Sequence, residues 1–178
     1  MPKYVAFLRA INVGSHTVKM DHLRKLFESL NFSNVETFIA SGNVIFDSPA
    51  RNTGTLEKKI EAHLQGVLGY RVATFIRTLA ELAKVSQYKP FPDSDLTADG
   101  NTLYVGFMAA APVNNASQNL SDRVNSMKDF KIHGREVYWL HRKRSDSVFP
   151  GAQIEKTLGV ETTLRNINTV KRILAKYS

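Results

Sequence analysis

Three short stretches carry side chains of the types that hold an anion. In "NVGSHTVK", residues 12–19, Gly14 and Ser15 offer backbone N–H groups and Lys19 places a positive charge where a helical pattern begins. That combination suits a phosphate or another small anion. Asn12 adds an amide for orientation. In "SGN", Ser41, Gly42 and Asn43 offer a hydroxyl, an unobstructed backbone and a second amide. In "TLRNINTV", Arg165, Asn166, Asn168 and Thr169 gather a guanidinium, two amides and a hydroxyl just ahead of a helix, where negative charge is favoured. Lys19 and Arg165 would supply charge, and Asn12, Asn43 and the Gly14 backbone would supply orientation. The plainer alternative is that the amides and hydroxyls satisfy loop backbone and cap a helix.

Other chemistries are missing. The lysine five residues after Gly14 lacks both the second glycine before it and the hydroxyl after it, so the phosphate-loop signature fails. His16, His22, His63, His133 and His141 never fall at metal-ligand spacing, and the chain has no cysteine, so no metal site is expected. There is no GxSxG elbow and no GxGxxG turn, and nothing selects a catalytic residue or implies a cofactor. Whether any reaction is catalysed stays open at this stage.

Composition narrows the class. The chain has 178 residues, 43% of them hydrophobic and 22% charged, which is the make-up of a globular protein. No run of about 18 apolar residues could span a membrane. Arg9 interrupts the first apolar run and no small-residue cleavage site follows, so a signal peptide is not expected and a cytoplasmic setting is. The net charge of +8 is spread over both halves, with concentrations at "HRKR", residues 141–144, and in the segment of Arg165, Lys171, Arg172 and Lys176. Such a surface allows sequence-nonspecific nucleic-acid binding as a second reading. Phe7 and Phe46 fall on neighbouring strands as stacking rings would, yet the signature of RNA-recognition sheets is missing.

The elements that must position these groups follow from periodicity. "KYVAFLRAIN" reads as a strand. Met20, Leu23, Phe27 and Leu30 recur at helical spacing and Asn31 ends the run. "VETFIA" and "VIFDS" read as strands joined by "SGN". Leu56, Ile60 and Leu64 mark a second helix, and "YRVATFIR" a further strand. The order βαββαβ is that of ferredoxin-like domains. It makes strands one and two parallel with strand three between them, which brings the 12–19 loop and the 41–43 turn to one end of the sheet. A helix follows at "TLAELAKVSQY", and "KPFPDSDLTADGN" reads as a linker.

The second half offers a strand at "TLYVGFM", a helix at "LSDRVNSM", a hairpin over "FKIHGREVYWLH" turning at His133 and Gly134, a short helix closed by Gly159, and a last helix capped by Asn168. No internal repeat stands out. The expected fold class is α+β, with a ferredoxin-like subdomain over 1–89 packed against a smaller α+β subdomain over 90–178. Both faces of the first strand are apolar, so a cover over the second face is expected, with the two halves sharing an interface. A third reading makes those apolar strands an oligomer interface without a ligand.

"YVAFLRAINVGSHTVKMDHLRKLFESLNFSNVETFIASGNVIF", with "FIRTLAEL", "LYVGFM", "GREVY" and "TTLRNINTVKRI", resembles the bacterial family catalogued as domain of unknown function 1697. The resemblance implies an α+β protein of two subdomains, the first ferredoxin-like, and implies no established activity, cofactor or catalytic residue. Arg9, Asn12, Gly14, Lys19, Ser41, Gly42, Asn43, Arg165, Asn166 and Thr169 fit the family pattern. Ala10 and Ser15 stand where it has glycines, and "SVFPGAQ" replaces a serine-lysine-leucine-threonine stretch. Val148 and Pro150 thus occupy polar positions of the pattern, and a lysine is lost there.

Overall fold

The structure is a computed structural model that describes residues 1–111, 129–143, 152, 155–156 and 159–178. The chain divides into two compact units, Met1–Leu82 with Tyr177–Ser178, and Ala83–Lys176. The fold is α+β, with two four-stranded antiparallel sheets.

In the N-terminal unit the order is β1 (Lys3–Leu8), α1 (Met20–Glu28), β2 (Ser33–Thr37), β3 (Asn43–Asp47), α2 (Thr53–Leu68) and β4 (Thr74–Thr78). The sheet runs β2-β3-β1-β4, the ferredoxin-like arrangement. Alternation along the strands turns Tyr4, Ala6, Leu8, Val44, Phe46 and Ile76 to one face. There they form one buried cluster with Leu23, Leu26 and Phe27 of α1 and Leu56, Ile60 and Leu64 of α2. Asn52 starts α2 by accepting the Thr55 N–H at 2.9 Å, and Gly69, at φ +82°, ends it, as left-handed glycines do at helix ends. Val5, Phe7, Ile45 and Phe75 point to the opposite face and are buried as well. Both faces of these strands are thus buried.

α3 (Leu79–Gln87) leaves β4 directly, and α4 (Asp93–Leu96) is a single turn inside the expected linker. The C-terminal unit then holds β5 (Thr102–Met108), β6 (Phe130–His133), β7 (Glu136–His141), β8 (Thr162–Asn166) and α5 (Ile167–Tyr177). The helix expected at "LSDRVNSM" lies outside the described residues. Gly159, at φ +68°, gives its N–H to the Glu155 carbonyl at 2.7 Å, as a helix-closing glycine should. His133 pairs with Glu136, so the hairpin turns at Gly134 and Arg135, one residue later than its sequence suggests.

The second sheet repeats the first. Its order is β6-β7-β5-β8, with β5 in the place of β1 and β8 in the place of β4. The registers agree residue by residue. Tyr4 faces Thr78 and Val5 faces Arg77 in the first sheet, while Tyr104 faces Asn166 and Val105 faces Arg165 in the second. On the other side Tyr4 faces Phe46 and Tyr104 faces Trp139, and both pairs are in ring contact, at 5.7 and 5.3 Å between centroids. "YVAFL" and "YVGFM" are the matching inner strands. The repeat missing from the sequence reading is thus plain in the structure, and the second unit carries as many strands as the first. Gly106 stands where the first sheet has Ala6, because a Cβ there would come within 2.7 Å of Val137 Cγ1. Among the described residues no helix is long and apolar enough to cross a membrane.

Candidate site at the paired reversals

The reversals after β1 and between β2 and β3 are neighbours. Asn12 joins them: its Oδ1 accepts the Val18 N–H at 2.7 Å and its Nδ2 donates to the Ala40 carbonyl at 3.2 Å. The Leu8 N–H donates to the Gly42 carbonyl at 2.8 Å. Gly42 is needed for two reasons, since its φ is +76° and a Cβ would lie 3.1 Å from both Ile11 Cβ and the Leu8 carbonyl oxygen. Asn43 is buried, with Nδ2 donating to the Phe38 carbonyl and to Ser41 Oγ at 3.0 and 2.9 Å. The two amides expected to orient a ligand therefore hold the loops in shape. Gly14, Ser15 and Lys19 remain exposed. Lys19 directly precedes α1 in extended conformation, as the helical pattern requires.

These reversals are strained. Ala10, Asn12 and Ile39 have φ of +58°, +59° and +52°, a region that L side chains enter at a cost of about 1–2 kcal/mol each. Asparagine tolerates it, alanine less so, and a β-branched residue least. Ile39 also ends β2 early. The sequence placed it inside the strand "VETFIA", whereas the strand stops at Thr37 and residues 38–42 form the turn. Val13 and Ile39, at the two tips, are 62% and 43% exposed, so apolar burial is not what stabilises these conformations.

His16 lies against Tyr70, with ring centroids 3.9 Å apart, which ties the 12–19 loop to the segment between α2 and β4. Among the described residues, the Tyr70 hydroxyl is a buried side-chain polar atom with no hydrogen-bond partner. A buried donor left unmatched is costly. No group of three or more metal-binding side chains occurs among the described residues.

The third sequence cluster belongs to the C-terminal unit. Arg165 is buried in β8, and its Nη1 donates to Thr163 Oγ1 and the Leu164 carbonyl, both at 2.9 Å. Burial pulls its pKa down to about 10, so it is still charged at neutral pH. Arg77, at the matching register position, likewise donates to the carbonyl of the preceding residue, Ile76. An arginine at the same point of both sheets reads as part of the framework. Asn166, and not Asn168, starts α5, since its Oδ1 accepts the Asn168 N–H at 2.9 Å. Asn166 lines a cavity of about 680 Å³, and Thr169 follows it in the first helical turn. In the basic stretch, Arg142 is gripped by Asp129 at 2.8–3.0 Å and Asp95 at 3.3 Å. Those contacts raise its pKa and occupy the guanidinium. Lys143 pairs with Asp99 at 3.5 Å, and Arg144 lies outside the described residues.

The profile of the family described as "Protein of unknown function (DUF1697)" matches residues 1–138. The chain belongs to this family. It is also similar to the solved structure of the conserved bacterial protein SP0830 from Streptococcus pneumoniae, with 22% identity, a TM-score of 0.69, and coverage of 98% of this chain and 97% of that one. That likeness is one of fold. No curated protein matches the chain. Ala10, at φ +58°, holds a conformation that glycine adopts freely.

Tyr70, His16 and Ile39 were missed by sequence reasoning. The spacing of His16 bears only on metal ligation, and its ring partner, Tyr70, is 54 positions away. Ile39 carries a signal that points the wrong way, because isoleucine favours strands.

Proposed function

We propose that this protein binds a small anionic ligand, phosphate-bearing or carboxylate, at the paired reversals of the N-terminal unit. Lys19 supplies the charge, and the backbone N–H groups of Gly14 and Ser15 supply donors. Ser41 stands across the turn. The observation that carries this reading is the concentration of side-chain-bearing left-handed residues, Ala10, Asn12 and Ile39, in two loops cross-braced by one amide. Such strain persists only where surrounding structure enforces it, and it gathers at ligand clamps and active sites. Two features add support. The Lys19 ammonium makes no ion pair or hydrogen bond among the described residues, and the unmatched Tyr70 hydroxyl belongs to the ring in tilted contact with His16. Of the basic stretch at 141–144, the Arg142 guanidinium is engaged by two carboxylates, which speaks for this reading over nucleic-acid binding there.

The test is thermal melting of the full chain against rising inorganic phosphate. A ligand bound by the native state alone raises the melting temperature with concentration. Lys19→Ala should keep the ligand-free melting temperature and lose most of the shift. A phosphate response of the same size in wild type and Lys19→Ala would overturn the reading.

A further inference from the structure

The repeated sheet provides an internal comparison at a second place. Thr78 and Asn166 occupy the same register position, opposite Tyr4 and Tyr104, and each leads straight into a helix. In the first copy the helix start is closed from within. Glu81 Oε2 accepts the Thr78 N–H at 2.8 Å, and the Glu81 N–H donates to Thr78 Oγ1 at 3.1 Å, which is a reciprocal capping box. Counting on from the matched strands, the residue equivalent to Glu81 is Thr169. The first turn of α5 holds no acidic side chain, so the carboxylate that completes the first copy has no counterpart in the second.

What the second copy has in its place is space and charge. The cavity of about 680 Å³ opens against this helix start, and its walls include Tyr88, Lys89, Thr102, Asn166, Asn168 and Lys171, all within the C-terminal unit. Its volume is that of a small-molecule site. Lys89 is neutralised by Asp93 at 3.0 Å. The Lys171 ammonium, four residues beyond Ile167 and therefore over the same helical turn, makes no ion pair or hydrogen bond among the described residues. Asn166 uses its Oδ1 on the Asn168 N–H, while its Nδ2 has no acceptor among the described residues. Leu103 and Ile167 give the same cavity an apolar side.

We propose that this cavity is a second ligand site, for a small molecule whose oxyanion group takes the place at α5 that Glu81 fills at α3. Lys171 supplies the counter-charge and Asn166 Nδ2 a donor. The site is independent of the paired reversals and would stand if that reading failed.

Residue-resolved amide shifts of the full-length protein, titrated separately with inorganic phosphate and with acetate, test it. Saturable shifts at Asn166, Asn168 and Thr169 are expected with at least one of the two anions, and the better of them names the oxyanion class. Lys171→Ala should weaken binding about tenfold or more, the weight of one charge-assisted contact. Thr169→Glu, which installs in the second copy the carboxylate of the first, should raise the melting temperature and abolish the shifts. Absent or unsaturable shifts in wild type with both anions would overturn the proposal. So would saturation unchanged in both Lys171→Ala and Thr169→Glu.

Discussion

The two sheets have the same strand order and the same register, and they differ at their ends and at a few paired positions. Where Lys3 and Asp47 face each other in the first sheet at 2.8 Å, Leu103 faces Leu140 in the second. Where Ala6 packs in one, Gly106 is required in the other. Where Glu81 closes one helix start, a cavity lies beside the other. The shared part is packed framework, in which substitutions act on stability. At the divergent ends Gly14, Ser15 and Lys19 stay exposed in the first unit and a cavity opens in the second, and the two proposed ligand sites lie there.

The deepest cut into the shared part is Arg77→Ala or Arg165→Ala. Each removes a large buried side chain from the fourth strand of its sheet, and both should lower stability by about 2–4 kcal/mol, read from chemical denaturation. If Arg165→Ala melted like wild type, the equivalence of the two arginines would fail. Gly106→Ala comes next, at about 1–3 kcal/mol of overpacking against Val137. Ala6→Gly in the first sheet has no such clash and should act only through lost packing and backbone entropy.

A gain is expected at Ala10. Relief of its left-handed strain in Ala10→Gly should outweigh the added freedom of the unfolded chain and raise stability by about 0.5–1 kcal/mol. The smallest effect separates the units by pH. Burial opposes ionisation of Asp47, but hydrogen bonds from Asn34 and Lys3, with the charges of Lys3 and the N-terminus, hold its pKa below the usual 3.8. A depressed folded-state value means that Asp47 stabilises the native state above that pH and loses the effect as acid protonates it. Asp47→Asn should therefore flatten the loss of stability below about pH 5, measured as melting temperature against pH. An unchanged acid slope would remove Lys3 and Asp47 from the comparison.

Much of the first sheet was legible in the sequence because alternation and helical spacing are local. Tyr4, Ala6 and Leu8 had to share a face, and the crossover rule then fixed the strand order and brought Asn12 near Ser41. The repeat was not legible from periodicity, which describes each strand by itself and never compares "YVAFL" with "YVGFM". Arg165 reads from sequence as a charge offered to a ligand among polar neighbours, yet its parity on β8 turns it inward at the position of Arg77. The work of Asn12 was hidden because one of its partners, the Ala40 carbonyl, lies 28 residues away. Side-chain type said that Asn12 could bond a ligand, and only its neighbours decided that it braces two loops.

The central claim is that Lys19 and the N–H groups of Gly14 and Ser15 receive an oxyanion between the paired reversals. Amide shifts of the full-length protein during a titration with inorganic phosphate test it most directly. Saturable shifts at Gly14, Ser15 and Lys19, lost in Lys19→Ala while the rest of the spectrum is preserved, are the expected result. Shifts at those amides that are absent in wild type, or that survive in Lys19→Ala, would contradict it.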